Sequence, residues 1–537
     1  MLITFSMSGH KEKLPDDIAT CHELIRQQDE TICEMQQEME QLKFYIDKLV
    51  RHRFGPRSEK YDPNQLTLFD ELEAQEESSS EAENSEEEEP PETTVSSYRR
   101  RGGGRNKIPD NLPRERVEHD LTAAEKLCPC CGTERQRIGE ECSELLDFIP
   151  ASLKVIEHVR FKYACKSCEE HIAIASAPAK PIEKGFAGAG LLATILVGKY
   201  SDHLPLYRHE EILARHGVEI ARSTMCRWVM QTAEIFQPLV DLMKARVLQS
   251  EKIHTDDTTV PVQDKSLPKT RTGRFWVYCG DAENPYSVYD FTPNRQRAGP
   301  ESFLETYQGY LQADAFSGYE ELYRTQEIQQ VSCWAHARRK FFDARTVQPT
   351  PAHRALLFIK NLYGVEREAK KTKPELLLEN SSARQEWYAD RFQLRQEKSL
   401  PILKEFYDWL RTTAGSLLPK SPVAGAIEYL LSRWDSFTRY CSEGLLSIDN
   451  NLAERTLRPC TLGRKNYLFV GSDRGGEAAA VHYSLMASCK SNGVEPFAYI
   501  RDMLETIPTC SPNTLPNLLP DTWLKHHPTS RLLQRRS

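Results

Sequence analysis

The stretch IHTDDTTV at residues 253–260 has two counterparts, LQADAFSGY at 311–319 and IDNNLAERTLRP at 448–459. The first two are apolar, β-prone runs with an acid at or near the end, which predicts strands carrying Asp256 and Asp314. The third has helical spacing and predicts a helix with Glu454 on its surface. Two strand acids and one helix acid can converge on two Mg²⁺ ions about 3.5–4 Å apart, activating a water or a 3′-hydroxyl. No single carboxylate is diagnostic, because the chain holds 78 acidic residues. The prediction therefore rests on the order of the three stretches.

The sequence around these stretches alternates as strands do. EKIHTDDTTVPV, RFWVYCGD and YSVYDFT precede a helix-like GPESFLETY, and GYLQADAF follows. Three strands, a helix and a strand that ends in an acid predict a ribonuclease-H-like α/β sheet. A helical, charged stretch between about residues 346 and 446 is interpreted as an insertion before the last catalytic helix. A basic run follows Glu454, where a phosphate backbone would lie; it consists of Arg455, Arg458, Arg464 and Lys465.

A helical region precedes the sheet. LYRHEEILARHGVEI and ARSTMCRWVMQTAEIF predict two helices joined by a turn at Gly217, with Ser223-Thr224 as the cap of the second. This is the pattern of a helix-turn-helix whose second helix would offer Arg222, Thr224 and Arg227 to a major groove. A helical hairpin without DNA contacts fits the pattern equally well.

Two Cys-x₂-Cys pairs indicate a metal site further towards the N-terminus. Cys128 and Cys131 form the first, in CPCCG, and Cys165 and Cys168 form the second after 33 intervening residues. Four thiolates at this spacing predict a tetrahedral Zn²⁺ site. Cys130 is interpreted as a spare thiol, and His171 is an alternative ligand. Four unrelated buried cysteines are the other interpretation.

Residues 70–92 contain twelve Asp and Glu and no Lys or Arg, so the formal net charge of −8 becomes +4 without them. Such a segment buries too little apolar surface to fold and is expected to be a disordered linker. YRRRGGGRNK follows at 98–107, with Arg99, Arg100, Arg101 and Arg105. These arginines are either part of a solubilising linker or contacts to DNA phosphates or a minor groove.

Residues 15–50 carry a heptad pattern. Ile18, Ile25, Ile32, Met39 and Ile46 fall seven apart, and a second row contains Met35, Leu42 and Leu49 with the weaker Cys21 and Gln28. About five heptads predict a coiled coil that joins copies of the chain in a homo-oligomer. The alternative is an amphipathic helix packed on its own domain.

Composition narrows the class of protein. A chain of 537 residues with 39% hydrophobic and 28% charged residues is expected to form several domains. The longest apolar stretch, near residues 186–197, is too short for a membrane span, and the N-terminal residues do not resemble a signal peptide. Fifteen mostly isolated cysteines predict a reducing cytoplasm. The proline-rich segment after Ile507, with Arg531, Arg535 and Arg536, is interpreted as a loosely ordered tail.

Several short motifs follow one another in a characteristic order. FGPRSEK (54–60), GGRNKIP (103–109), CPCCG (128–132) and LPLYRHEEIL (204–213) come first; HTDDT (254–258), CWAHARRKF (333–341) and DNNLAERTLRPCTLGRKNYLFVGSD (449–473) follow. With these motifs the chain resembles the DDE transposases of the insertion-sequence-66 type over nearly its whole length. The resemblance implies a Mg²⁺-dependent enzyme that binds element ends, nicks DNA and transfers strands, and that travels with small accessory proteins.

The resemblance also implies roles for single residues. Asp256, Asp314 and Glu454 would be the catalytic, magnesium-binding triad, although Asp257 and Asp449 compete for two of these places. Strand alternation cannot choose between Asp256 and Asp257, because neighbouring residues point to opposite faces. His336, in a Cys-x₂-His motif with Cys333, would support the active-site strand or touch DNA, with a purely structural role as the alternative. Asn451 would support the site. Thr255 and Asp257 stand where the family often has Ala and Glu.

Two alternative functions remain at this stage: a ribonuclease-H-like nuclease, and a catalytically silent regulator that binds DNA through its zinc module and helix-turn-helix. The predicted organisation has eight segments. They are a coiled-coil oligomerisation helix with a basic motif (1–60), an acidic linker (61–107), a zinc module (108–182), a helical DNA-binding region (183–247), the first catalytic part (248–345), the helical insertion (346–446), the last catalytic part (447–505) and a tail (506–537).

Overall fold

A computed structural model describes residues 178–532, except 184, 265, 315, 325–326 and 374–380. It also describes residues 153–158, two short strands, and scattered helical positions between 22 and 46. The strands are β1 (Lys162–Ala164) and β2 (Ile172–Ile174), an antiparallel pair. The predicted zinc ligands, the acidic linker and the Arg99–Arg105 cluster lie outside the described residues.

A mixed five-stranded sheet forms the centre of the described chain. Its strands are β3 (Lys252–Val262), β4 (Arg271–Cys279), β5 (Ser287–Thr292), β6 (Gly309–Ala313) and β7 (Ile328–Ser332). The spatial order is β5-β4-β3-β6-β7, with β3, β4 and β5 antiparallel and β6 and β7 parallel to β3. The sequence-based prediction of three strands, a helix and an acid-tipped strand is confirmed, since α4 (Ala298–Leu304) lies between β5 and β6.

Helices cover the sheet on the side of β5. They are α1 (Ala189–Tyr200), α2 (Leu206–Arg215), α3 (Arg222–Val247) and the later α13 (Asp473–Ser491). Ser484 and Ser488, one turn apart on α13, accept the backbone N–H groups of Tyr289 and Ser287 at 2.8 and 3.1 Å. The N–H groups at the outer edge of β5 are thereby bonded to a helix, which protects this edge strand from the addition of another strand.

The two helices predicted around Gly217 are present. Gly217 has φ +79°, a left-handed conformation that glycine adopts without strain, and it ends α2. The predicted Ser223-Thr224 cap is wrong: α3 begins at Arg222 behind Ala221, and no side chain caps it. Buried apolar residues hold α3 in the core along its length, among them Met225, Phe236, Leu239 and Met243.

His482 on α13 is fully buried beneath α1 and α3. Its ring stacks on Tyr200, with 4.9 Å between centroids, and its Nε2 donates to the Val229 carbonyl at 2.9 Å. Burial lowers the pKa of His482 to about 4, against 6.5 in an unfolded chain. The neutral ring is therefore the form that the fold accommodates.

We expect His482 to make the protein acid-sensitive. The stability that the neutral His482 ring contributes is fully present above pH 6.5. It is lost as the pH falls towards 4, because the unfolded state then binds a proton that the folded state does not. Between these limits the free energy of unfolding should fall by about 3 kcal/mol more than in His482→Gln. Denaturant titrations of both proteins measure the difference. The buried His254 is present in both proteins, so its pH dependence cancels in the difference between them. Parallel pH profiles for the two proteins would contradict the assignment.

A helical segment separates β7 from the last part of the sheet domain. The short α5 (Glu320–Arg324) lies before β7. The helices of the segment after β7 are α6 (Trp334–Ala344), α7 (Pro349–Lys371), α8 (Ser381–Leu394), α9 (Leu400–Ala414), α10 (Pro422–Leu431) and α11 (Trp434–Thr438). They enclose a second core around Trp334, Phe341 and Phe406. A buried ion cluster joins Glu366 of α7 to Arg391 of α8 and to Arg395 of the π-helical turn 395–399.

The chain ends with α12 (Asn451–Tyr467), α13, α14 (Pro496–Thr506) and α15 (Pro520–His526). The prediction of a loosely ordered tail is wrong for residues 506–532. Trp523 is buried, its indole N–H donates to Asp502 at 2.6 Å, and the Tyr499 hydroxyl donates to the Leu518 carbonyl at 2.7 Å. Pro512, Pro520 and Pro528 each open a short helical segment here, where a missing N–H costs nothing. None of the helices described for this chain has the length and apolar character that crossing a bilayer requires.

Candidate active site

The first two acids stand side by side on adjacent parallel strands. His254 of β3 is in register with Gln312 of β6, and two residues further along lie Asp256 and Asp314. Because strand side chains alternate with a period of two, both acids leave the same face of the sheet. Asp256 lies in the middle of β3, while Asp314 follows the last residue of β6.

The acids form an electrostatically crowded cluster. Burial raises the pKa of Asp256 to about 7; the Asp257 N–H at 2.8 Å opposes the rise, and the charges of Asp314, Asp257 and Glu454 add to it. Burial also raises the pKa of Asp314, against the Phe316 N–H and Arg295. Carboxylates that raise one another's pKa are a setting in which a bound cation is strongly favoured.

Asp257 and Asp256 differ in their partners. The Asp257 side chain is 2% exposed and bonds to Arg274 and to Arg295, whose Nη2 lies 2.8 Å away. Among the described residues, no Lys or Arg lies within ion-pair distance of Asp256. Two guanidinium groups thus neutralise Asp257, whereas Asp256 keeps its lone pairs for another cation.

Glu454 lies in the first turn of α12, and Asn450 fixes where that turn begins. The fully buried Asn450 donates through Nδ2 to the Thr255 carbonyl at 2.8 Å, next to Asp256, and accepts from His254 Nδ1 at 3.0 Å. Its backbone N–H donates to Cys333 Sγ at 3.2 Å. Sequence reasoning selected Asn451 instead, but the Asn451 amide bonds to Asp449 at 2.8 Å.

The loop before α12 is attached to the same two strands. Lys252 Nζ donates to the Leu445 carbonyl at 2.6 Å, and Gln312 exchanges hydrogen bonds with the backbone of Ser447 at 2.5 and 3.3 Å. Burial lowers the pKa of Lys252 to about 7. These contacts hold the helix that carries Glu454 against the strands that carry the other acids.

His336 of α6 lies beside the acid cluster. Its Nε2 lies 3.9 Å from Glu454 Oε1, and its charge lowers the pKa of Asp314. Cys333 Sγ, a His336 ring nitrogen and a Glu454 oxygen all lie within 4.8 Å of one another, a group to which Asp256 and Asp314 do not belong. Burial raises the pKa of the Cys333 thiol to about 12, so this sulfur keeps its proton near neutral pH and is a poor metal ligand.

Asp449, the second competitor, bonds to neutral donors. It accepts from the Tyr363 hydroxyl at 3.1 Å and from Asn451. Neutral donors therefore occupy its oxygens, and its role is to shape the start of α12.

Arg295 was not predicted from the sequence. Its guanidinium bonds to Asp257, lies 3.7 Å from Asp314 and stacks on the ring of Phe316, 4.2 Å from the centroid. Arg295, Arg297 and Phe316 line an open cleft of about 590 Å³ beside Asp314. The sequence offered no signal for it, because Arg295 meets these acids only through the folding of the β5–α4 connection.

The predicted DNA-binding arginines have different surroundings. Arg455, Arg458 and Lys465 are exposed on α12, whereas Arg464 is half-buried and donates to the Thr258 and Thr259 hydroxyls at 3.0 and 3.1 Å. Arg464 therefore ties α12 to β3. On α3, Arg222 and Arg227 are exposed, and Arg222 pairs with Glu210 at 3.1 Å.

Models of known families match most of the chain. A model described as Transposase IS66 family matches residues 184–478, and the IS66 C-terminal element matches residues 484–520. The zinc-finger binding domain of transposase IS66 matches residues 125–169, which contain both Cys-x₂-Cys pairs. A model described as Transposase C of IS166 homeodomain matches residues 41–117.

Proteins of Sinorhizobium fredii are similar over most of their length. The protein y4hP is 34% identical over 498 residues, which cover 90% of this chain and 88% of the relative. The protein y4jD is 32% identical over 431 residues, which cover 78% of this chain and 81% of the relative. Both are described as uncharacterized, so they extend the similarity without adding an activity.

Proposed function

Because this chain belongs to the Transposase IS66 family, we propose that it binds the ends of a mobile element and cuts and joins DNA strands there, with Asp256, Asp314 and Glu454 as its metal ligands. The observation that carries the proposal is the acid cluster itself. Two strand acids share one face of the sheet, and the helix acid adds its charge to theirs.

The sheet supports a ribonuclease-H-like catalytic fold. In chain order the strands stand third, second, first, fourth and fifth across the sheet, with the first three antiparallel. Asp256 lies on the first strand and Asp314 directly follows the fourth, which is its neighbour. Glu454 lies on a helix after the inserted helical segment. This is the arrangement that the order of the three sequence stretches predicts.

The donor set fits a divalent cation. Carboxylate oxygens are the ligands that Mg²⁺ takes in protein sites, and Asp256, at a raised pKa, lacks a cationic partner among the described residues. Two bound Mg²⁺ would activate the attacking oxygen and stabilise the departing one. Asp257 is assigned a different task, because its two arginines already compensate its charge.

The protein's own residues position the reaction. Asn450 and Gln312 hold the start of α12 so that Glu454 stays beside the strand acids. Water first attacks phosphorus and the bond to the 3′-oxygen breaks, which leaves a 3′-hydroxyl at the element end. That hydroxyl then attacks a target phosphodiester, whose own 3′-oxygen departs. His336, 3.9 Å from Glu454, is placed to orient that carboxylate or to contact DNA.

Other parts of the chain are assigned to DNA and to a second copy. Arg455, Arg458 and Lys465 beside Glu454 are proposed phosphate contacts, with Arg222 and Arg227 on α3. Cys128, Cys131, Cys165 and Cys168 are the proposed Zn²⁺ ligands of the matched zinc-finger domain. Towards the N-terminus, Ile25 and Ile46 lie at helical positions and are more than half exposed, which supports a coiled coil between copies.

The test is the joining of labelled element-end duplex to a target plasmid by the purified full-length chain. We expect nicked and joined products with Mg²⁺, and binding without products in EDTA. Nicking without joining would favour a nuclease instead. Binding without any chemistry, unchanged when the accessory proteins are added, would favour a DNA-binding regulator.

A further inference from the structure

The backbone turns sharply at Leu468, directly after α12. Leu468 has φ +67° and ψ −46°, and the Phe469 N–H donates to the Tyr467 carbonyl at 2.8 Å. This is a γ-turn with positive φ, a rare and strained form. Besides glycines, only His203 and Lys420 share a positive φ within the part of the chain that the structure describes. Strained residues of this kind cluster at active sites, ligand clamps and switch regions.

Hydrogen bonds on both sides hold the turn in place. The Leu468 N–H donates to the Arg464 carbonyl at 2.9 Å and closes the end of α12. The Val470 N–H donates to the Pro261 carbonyl at 2.9 Å, and the Gln263 N–H donates to the Val470 carbonyl at 2.8 Å. The turn is therefore fixed to the end of β3 and cannot fold its side chains back onto the core.

The residues at this turn face solvent. Leu468 is 63% exposed and Phe469 is 42% exposed, and the neighbouring β3–β4 loop carries Leu267, which is 49% exposed. Glycine would adopt this φ without strain, and a polar side chain would suit the surroundings. Two large apolar side chains here cost the free protein stability, and a ligand that buries them would recover that cost.

The charge on the same helix indicates that ligand. Arg455, Arg458 and Lys465 are exposed at helical spacing on α12, the helix that ends at this turn. A ligand that contacts both the basic residues of α12 and the apolar side chains of the turn needs an anionic exterior and an apolar interior. Duplex DNA has this construction, with phosphates outside and stacked bases within.

We propose that Leu468 and Phe469 form a wedge that inserts between base pairs of the bound duplex. Apolar side chains inserted at base steps unstack them and kink the DNA. Fourteen residues of helix separate Glu454 from Leu468, which is about 20 Å at 1.5 Å per residue. With α12 aligned along the duplex axis, the unstacked step would lie about six base pairs from the phosphodiester beside Glu454, at 3.4 Å per step. The proposal rests on the DNA-binding function proposed above.

The test compares two fluorescein-labelled 40-base-pair duplexes, one fully paired and one with two central mismatches, by anisotropy with the full-length chain. We expect wild type to bind the mismatched duplex at least ~10-fold more tightly, because part of the unstacking is already done. Leu468→Gly should weaken this preference and Leu468→Gly/Phe469→Ser should abolish it, while both variants keep their affinity for paired DNA. Leu357→Ser, which replaces an exposed leucine on α7, should retain the preference.

Stability separates the wedge from a structural role. Leu468→Gly relieves the positive φ, so its thermal midpoint should equal or exceed that of wild type while the preference is weakened. Equal affinities of wild type for both duplexes, or an unchanged preference in the variants, would overturn the wedge. Variants that lower the oligomeric mass in sedimentation would also overturn it and assign the turn to a contact between copies. Failure of wild type to bind either duplex would instead overturn the proposed function.

Discussion

Asp256→Asn is expected to abolish Mg²⁺-dependent strand transfer, by ~1000-fold or more, while DNA binding persists. Losing a metal ligand removes several kcal/mol of charge stabilisation from the transition state, and about 4 kcal/mol corresponds to this factor. Asp314→Asn and Glu454→Gln should behave alike. The measurement is the joining assay, with anisotropy binding in EDTA as its companion. An Asp256→Asn protein that joins strands at the normal rate would remove Asp256 from the site.

Stability supplies a second readout that does not depend on activity. Burial raises the pKa of Asp256 to about 7, so above pH 7 its ionised carboxylate opposes folding while no cation is bound. In metal-free buffer at pH 8, Asp256→Asn should therefore raise the thermal midpoint. Added Mg²⁺ stabilises only a native state that binds it, so it should shift wild type more than the variant.

Asp257→Asn is the matched control, one residue away with the same change. Asp257 is 2% exposed and holds Arg274 and Arg295, so its loss leaves two guanidinium groups with a weaker partner. We expect the free energy of unfolding to fall by ~3 kcal/mol, opposite in sign to Asp256→Asn. Equal shifts in the two variants would contradict the different roles assigned to these neighbours.

Glu366→Ala should be the most destabilising single substitution in the helical segment. Glu366 is buried and accepts from Arg391 Nε at 3.0 Å and from Arg395 Nε at 2.7 Å. Burial alone would raise the pKa of Glu366, but the two arginines outweigh it and the pKa is lowered. Removing the carboxylate leaves two buried cations unpaired, at a cost of about 4 kcal/mol. Denaturant unfolding of the full-length chain measures this loss.

The same substitution should reach the active site. Arg395 also donates to the carbonyls of Tyr440, Glu443 and Leu446 at 2.5–2.9 Å, just before the loop that Lys252 and Gln312 hold. We therefore expect Glu366→Ala to weaken the thermal response to Mg²⁺ as well. Glu366→Gln, which keeps one acceptor oxygen, should lose less.

Glu368→Ala is the control on the same helix. Glu368 pairs with Lys398 at 2.6 Å, but both side chains are about half exposed. Its removal should change the free energy of unfolding by less than about 1 kcal/mol, because water and salt screen exposed pairs. If both glutamate variants lost equal stability, the buried cluster would not be the cause.

Local pattern alone determined much of this protein. Alternation predicted β3 to β6, helical spacing predicted α12 around Glu454, and the motif order identified the family that the matches over residues 184–478 establish. The paired Cys-x₂-Cys motifs likewise indicated the zinc-finger domain matched at 125–169. These features are legible because side-chain period and ligand spacing are properties of short segments.

Only the tertiary structure decided how these segments meet. Asp256 and Asp257 are neighbours in one strand, and their difference appears only when Arg295, from another connection, reaches Asp257. Asn450 rather than Asn451 joins α12 to β3 across 195 residues of sequence. The prolines after Ile507 predict a loosely ordered tail, yet the buried Trp523 packs this segment onto the core. A pattern within a segment specifies which face is buried, whereas long-range packing chooses the partner, and it is the partner that sets charge, pKa and role.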